Sequence, residues 1–222
     1  MKKILLIEDR GKRQELFTKD TNIELNQYSD ILDNFTGEEY DEFLSSFIKD
    51  DFSLENYAVI IAHKSAFHDK NTQILLKLSE YCKIEKKPLV LFSGGLSANY
   101  YKNDEFETLE LNSKIFYSQN LELFLEDFKN NNKNILMLCY GIQWKLNIAL
   151  NILEKLNRFI EKNNEKTKIY YNKILIEIDF DKLKLIQLKF DDLVVENGWI
   201  ALSEVVKLRD YIVQSISEFI DE

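Results

Sequence analysis

Glu8 and Asp9 are adjacent acids that close the four-residue apolar run Ile4–Ile7. Paired carboxylates at a strand end suit a hard cation such as Mg2+, which takes oxygen ligands. They also suit a plain surface turn. His63 closes a second apolar run, "YAVIIAH", where it reads as a general base or a hydrogen-bonded strand end. Ser93 precedes Gly94 and Gly95 after "LVLF", and its hydroxyl reads as a turn cap or as part of a pocket with Ser118. Cys139 lies in "ILMLCYGIQ", a thiol nucleophile if a base is at hand. His63 and His68 with Asp69 do not make a convincing metal set. Their spacing places no two imidazoles on one helix face, and the chain has only 2 His.

These residues need a frame. Residues 3–8 predict a strand buried on both faces, and 12–20 a helix. Within 21–32 a strand is expected at Ile23–Leu25 or Tyr28–Leu32. Tyr40, Phe43, Leu44, Phe47 and Ile48 form a helical stripe. "YAVIIAH" is a strand, and Ile74, Leu75, Leu78 and Cys82 mark the next helix. Pro88 introduces the strand "LVLFSGG", "SKIFYS" reads as another, and "NLELFLEDFKNN" as a helix capped by Asn120. Alternation of this kind predicts an α/β fold, a doubly wound five-stranded parallel sheet over residues 1–130. Sites in such sheets gather at the carboxyl ends of the strands. Glu8, Asp9, His63, Ser93 and Ser118 are therefore expected in one pocket.

Residues 131–222 predict a long helix and a small α+β extension. Ile135, Cys139, Ile142, Leu146, Ala149, Leu153, Leu156 and Ile160 form one stripe, so a helix over 134–162 is expected, about 40 Å long at about 1.5 Å per residue. An apolar face of that length must be covered, and pairing with a second copy of the chain is one expectation. Ile174, Ile176 and Ile178, then Leu183, Leu185, Ile186 and Leu188, predict a hairpin turning at Asp179–Lys182. A turn at Asn197–Gly198 and a final helix follow, with Trp199 expected to anchor it to the core.

The chain has 222 residues and a net charge of −9, which argues against bulk nucleic-acid binding. No apolar run approaches the roughly 20 residues of a membrane span. Cys82 and Cys139 are far apart in no metal-like spacing, so two reduced thiols and a cytoplasmic setting are expected.

"KKILLIEDRGKRQELF" resembles the opening of a response-regulator receiver domain, in which two acids ending the first strand hold magnesium. "NYAVIIAHKSAFHDKN" resembles the third receiver strand and its loop, "KPLVLFSGG" the fourth, and "SKIFYSQNLELFLEDF" the fifth with its helix. The resemblance covers residues 1–130 and implies Mg2+ at Glu8 and Asp9. It departs at two places. His63 stands where the family's phosphoacceptor Asp is expected, and Ser118 where it has Lys. What it implies is a degenerate receiver, a non-enzymatic signalling or scaffold protein acting through a protein partner. An atypical phosphorelay receiver using His63 or Asp69 is the second expectation. A third comes from "ILMLCYGIQ" and "LVLFSGG", which resemble the nucleophile elbow and oxyanion strand of class I glutamine amidotransferases. That implies Cys139 as nucleophile with Gly94 and Gly95 beside it, yet no His follows His68 to activate the thiol.

Overall fold

The computed structural model describes residues 2–67, 72–103, 106–178 and 183–220. The chain divides into two compact units, Met1–Ile142 and Gln143–Glu222, so residues 131–142 belong with the first. His68 and Asp69, and the turn expected at 179–182, lie outside the described residues.

The first unit alternates β1 (Lys3–Glu8), α1 (Gly11–Thr21), β2 (Leu32–Thr36), α2 (Glu38–Ile48), β3 (Tyr57–His63), α3 (Thr72–Ile84) and β4 (Leu89–Ser93). It continues with β5 (Asn99–Lys102), β6 (Glu107–Asn112), α4 (Ser113–Phe116), α5 (Gln119–Lys129) and α6 (Met137–Tyr140). One mixed sheet runs β2-β1-β3-β4-β6-β5. Every pairing is parallel except β5 with β6, which is antiparallel. Ile4, Leu5, Leu6 and Ile7 are all buried, as are Val59, Ile60 and Ile61, because helices cover both faces of the central strands. On one face Leu5, Ile7 and Ile60 pack with Tyr40, Phe43 and Phe47 of α2 and Ile74 and Leu78 of α3.

Several expectations are corrected. The second strand is Leu32–Thr36, and the earlier stretch Leu25–Tyr28 is a 3-10 turn. As an edge strand β2 carries Asp33 and Asn34, so its pattern is too polar to read as buried. "SKIFYS" is not a strand: Ser113–Phe116 is one helical turn, capped by Asn112, whose side chain accepts from the Lys114 N–H. The fifth parallel strand is the more polar "ETLELN" before it. Among the described residues no helix joins β4 to β6. The chain instead turns back through β5, giving six strands where five were expected. α5 is capped by Ser118, not Asn120.

The expected helix over 134–162 is broken. Gly141 has φ 71° and ψ −162°, a conformation that only glycine adopts readily, and it ends α6. A Cβ there would also meet Asn120 Oδ1 at 3.0 Å. Ile142, counted in the helical stripe, is 71% exposed as a result.

The second unit contains α7 (Trp144–Asn163), β7 (Lys168–Tyr170), α8 (Tyr171–Glu177), α9 (Lys184–Asp191), β8 (Val195–Glu196), β9 (Trp199–Ala201) and α10 (Leu202–Ile220). The strands form a small antiparallel sheet in the order β7-β9-β8. Where a hairpin was expected over 174–188, the described residues form two helices. Ile174, Ile178, Ile186 and Phe190 are buried while Ile176 is 83% exposed, so the four-residue spacing prevailed over the alternation. The turn at Asn197–Gly198 is present, with both residues at positive φ (53° and 81°). Trp199 is not a core anchor: it is 47% exposed and meets Tyr170 edge to face. Ile148, Ala149, Ile152, Leu156 and Phe159 of α7 are buried, and α10 packs on α7 through its own buried Val205, Leu208 and Ile212. Part of the apolar face that suggested a homodimer is thus covered within the second unit, while Leu150 stays 45% exposed. No helix among the described residues is long and apolar enough to cross a membrane.

Candidate functional site

Parallel register brings the carboxyl ends of β1, β2 and β3 side by side. Glu8 pairs with Thr36, and Ile7 with Ala62, so His63 falls beside Glu8. The apolar runs that bury β1 and β3 also carry their terminal polar residues inward. Glu8 is fully buried and His63 is 1% exposed. Asp9, one residue further on, is half-buried.

Both oxygens of Glu8 are taken. Arg13 Nη2 donates to Oε1 at 2.6 Å and the Arg10 N–H donates to the same oxygen at 3.1 Å. The Tyr117 hydroxyl donates to Oε2 at 3.1 Å and itself accepts from Gln14 Nε2 at 3.2 Å. Gln14 is fixed in turn by a reciprocal amide pair with Asn34, at 3.0 and 2.8 Å. Arg13 also approaches Asp9 Oδ1 at 3.7 Å, and Arg10 lies 3.5 Å from Asp9 Oδ2. The guanidinium of Arg13 thus sits against both acids.

His63 and Ser65 complete the cluster. His63 Nδ1 lies 3.1 Å from Asp9 Oδ1, and Ser65 Oγ lies 3.0 and 3.1 Å from the two Asp9 oxygens. Ser65 Oγ is 2.5 Å from the same Nδ1. A carboxylate only accepts, so the network assigns the hydrogen to Nδ1. The Ser65 backbone N–H, at 3.2 Å from Nδ1, cannot then bond that nitrogen, and the shorter contacts decide. His63 Nε2 is buried without a hydrogen-bond partner among the described residues.

Burial raises the pKa of Glu8 above its ordinary value, against the lowering effect of His63 and the Arg13 hydrogen bond. Burial also acts to raise Asp9, but hydrogen bonds from His63 and Ser65 and the charge of His63 outweigh it and hold Asp9 at about 2. Burial and the neighbouring Glu8 push Tyr117 well above the usual tyrosine range, so its hydroxyl stays a donor.

These contacts limit the chemistry. Potential ligand atoms of Glu8, Asp9 and His63 lie within 4.8 Å of one another. Magnesium needs near-octahedral oxygen donors and retained waters. Here the lone pairs face Arg13, Tyr117, Ser65 and an imidazole instead. Asp9, His63 and Ser65 carry the residue types of a hydrolase triad without its geometry. In a triad the acid and the nucleophile bond opposite ring nitrogens, and here both meet Nδ1. His63 is also too deeply buried to meet a phosphodonor.

The remaining expected site residues are elsewhere engaged. Ser93 ends β4 opposite Asn112, and its carbonyl accepts from the Leu96 N–H in the turn beyond. Asn112 Nδ2 donates to the Gly94 carbonyl at 2.8 Å, lacing β6 to the glycine turn. Ser118 lies at no strand end. Its Oγ accepts from the Asn120 N–H at 3.3 Å and donates to Ile115 O at 2.6 Å. Cys139 is half-buried in the single turn of α6, which a loop precedes, so the strand-to-helix elbow of an amidotransferase is not formed.

Compared with protein-family models, with curated proteins and with solved structures, the chain matches none.

Sequence reading did not single out Arg13, Gln14, Ser65 or Tyr117. Arg13 had a signal: it lies one helical turn beyond Asp9, the spacing at which side chains on one helix face meet. Tyr117 had none, because its segment read as a strand.

Proposed function

We propose that the chain is a receiver-like protein that works without aspartyl phosphorylation, by binding a protein partner in a cytoplasmic setting. Leaving out the edge strand β5, the parallel strands run β2-β1-β3-β4-β6, in keeping with the 2-1-3-4-5 order of flavodoxin-like sheets. The acid pair at the end of β1 supports the same reading. The strand β5 between β4 and β6, with no helix among the described residues there, and Asn112 at the end of β6 are departures from a receiver beyond those at the acceptor.

One observation carries the proposal: the two acids are engaged from within, with Arg13 at 2.6 Å from Glu8 and His63 at 3.1 Å from Asp9. A phosphoryl switch needs a divalent cation and an accessible acceptor at this point, and the side chains here supply neither. What such a fold retains is its surface.

The test is incubation of the full chain with acetyl phosphate and magnesium, followed by intact mass and acid- and base-lability measurements. No phosphoryl adduct is expected. A stoichiometric adduct lost in His63→Ala or Asp9→Ala overturns the reading.

A further inference from the structure

The opposite, amino edge of the same sheet carries a different feature. α2 ends at Ile48 and α3 at Ile84, each just before the segment leading into the next parallel strand. Between these helix ends lies a groove of about 340 Å³. Phe47, Phe52, Leu54 and Tyr81 line its apolar floor, and Ile84 stands on its wall 76% exposed.

Two lysines hold the groove in shape. Lys77 donates to the Phe47 carbonyl at 2.9 Å, pairs with Asp50, and lies 4.8 Å from the Phe47 ring centre. Lys87, 6% exposed, donates to Leu54 O at 2.6 Å, Glu55 O at 3.3 Å and the Tyr81 hydroxyl at 3.2 Å. Both cations are turned onto the protein itself, which fixes Phe47, Leu54 and Tyr81 in place. A preformed groove binds at a lower ordering cost.

The rim is acidic. Asp50, Glu55 and Glu80 line the groove with Lys77, which pairs with Asp50. Neither Glu55 nor Glu80 forms an ion pair with a described residue.

We propose that this groove docks a segment of a partner protein that presents one aromatic or branched apolar side chain flanked by Lys or Arg. The floor accepts the apolar anchor, and the rim acids meet the flanking cations. The proposal extends the partner-binding reading by naming the partner's chemistry, at a surface remote from the acid cluster. The two therefore fail separately: a phosphoryl adduct tests one edge of the sheet and peptide binding the other.

The experiment is an amide NMR titration of the full chain with three blocked tripeptides, Lys-Phe-Lys, Glu-Phe-Glu and Lys-Gly-Lys. Lys-Phe-Lys is expected to give saturable shifts confined to residues 47–55 and 77–84, with binding about tenfold tighter than either control. Glu80→Lys is expected to weaken Lys-Phe-Lys and strengthen Glu-Phe-Glu. Ile84→Ser is expected to weaken both phenylalanine peptides. Glu80 and Ile84 are exposed, so these variants leave the core intact. Absence of saturable shifts overturns the proposal. So does equal response to all three peptides, or shifts centred outside the groove.

Discussion

The two edges of one sheet handle charge in opposite ways. At the carboxyl edge the acids point inward, and Arg13 and His63 meet them. At the amino edge the cations Lys77 and Lys87 bend inward onto carbonyls and rings, while Glu55 and Glu80 stay at the surface. Acids in the sequence are therefore a poor guide to acids available for binding. What decides is whether a cation of the same chain reaches them first. Glu8 and Asp9 are spoken for by residues 4 to 5 positions ahead on α1 and by the neighbouring strand.

The largest expected effect is at Arg13. Arg13→Leu leaves the Glu8 carboxylate buried without its cation, and loss of one partner of a buried pair costs about 3–5 kcal/mol. Urea unfolding measures it. The double variant Glu8→Gln with Arg13→Leu is expected to recover most of the loss. If Arg13→Leu is neutral, the internal neutralisation is not what holds this edge.

At the other edge, Lys87→Met removes three hydrogen bonds from a charged donor. A loss of about 2–3 kcal/mol is expected in urea unfolding. The groove should also lose its fixed shape, seen as exchange broadening of the Leu54, Glu55 and Tyr81 amides.

The pH dependence of stability separates the two acids. Asp9 is held at about 2 against an ordinary 3.8, so the stability it contributes is present in full above the higher value and lost as pH falls through the lower. A depression of that size corresponds to about 2 kcal/mol. Glu8 acts with the opposite sign. Its pKa is raised by burial, so its ionisation subtracts stability as pH rises above 4.5. Unfolding curves at stepped acid pH for wild type and Asp9→Asn check this: the variant should lose the acid-side drop. Equal drops in both would remove Asp9 from the network.

The smallest effect separates a cap from a pocket residue. Ser118→Ala is expected to destabilise by about 1 kcal/mol through loss of the α5 cap, with no effect on the environment of Glu8 and Asp9. A changed carboxyl titration of Asp9 in that variant would return Ser118 to the site.

Much of the frame was legible because buried strands and amphipathic helices leave strong periodic signals. β1, β3, β4, α2 and α3 read directly from their apolar residues. β2 and β6 did not, because edge position and the polar residues Asp33, Asn34, Glu107 and Glu110 blur the pattern. The break at Gly141 was hidden by apolar spacing that continues through it, although the glycine itself was the available sign. In the second unit Ile174, Ile176 and Ile178 fit a strand and a helix equally well over so short a stretch, and only the exposure of Ile176 separates them. For the candidate site, Glu8, Asp9 and His63 were legible as strand ends. Their hydrogen bonding was legible only at Arg13, one helical turn beyond Asp9; Tyr117 comes from a segment that sequence spacing does not place against them.

The central claim is that Glu8 and Asp9 have no free coordination to offer. The direct measurement is the melting temperature of the full chain with millimolar magnesium, with and without beryllofluoride, beside Asp9→Ala. A cation held at a hundredfold above its dissociation constant would add about 2.7 kcal/mol, or about 5–10 °C in Tm for a unit of this size. No saturable shift is expected in wild type or variant. A saturable rise in wild type that disappears in Asp9→Ala would contradict it and make the edge a working cation site.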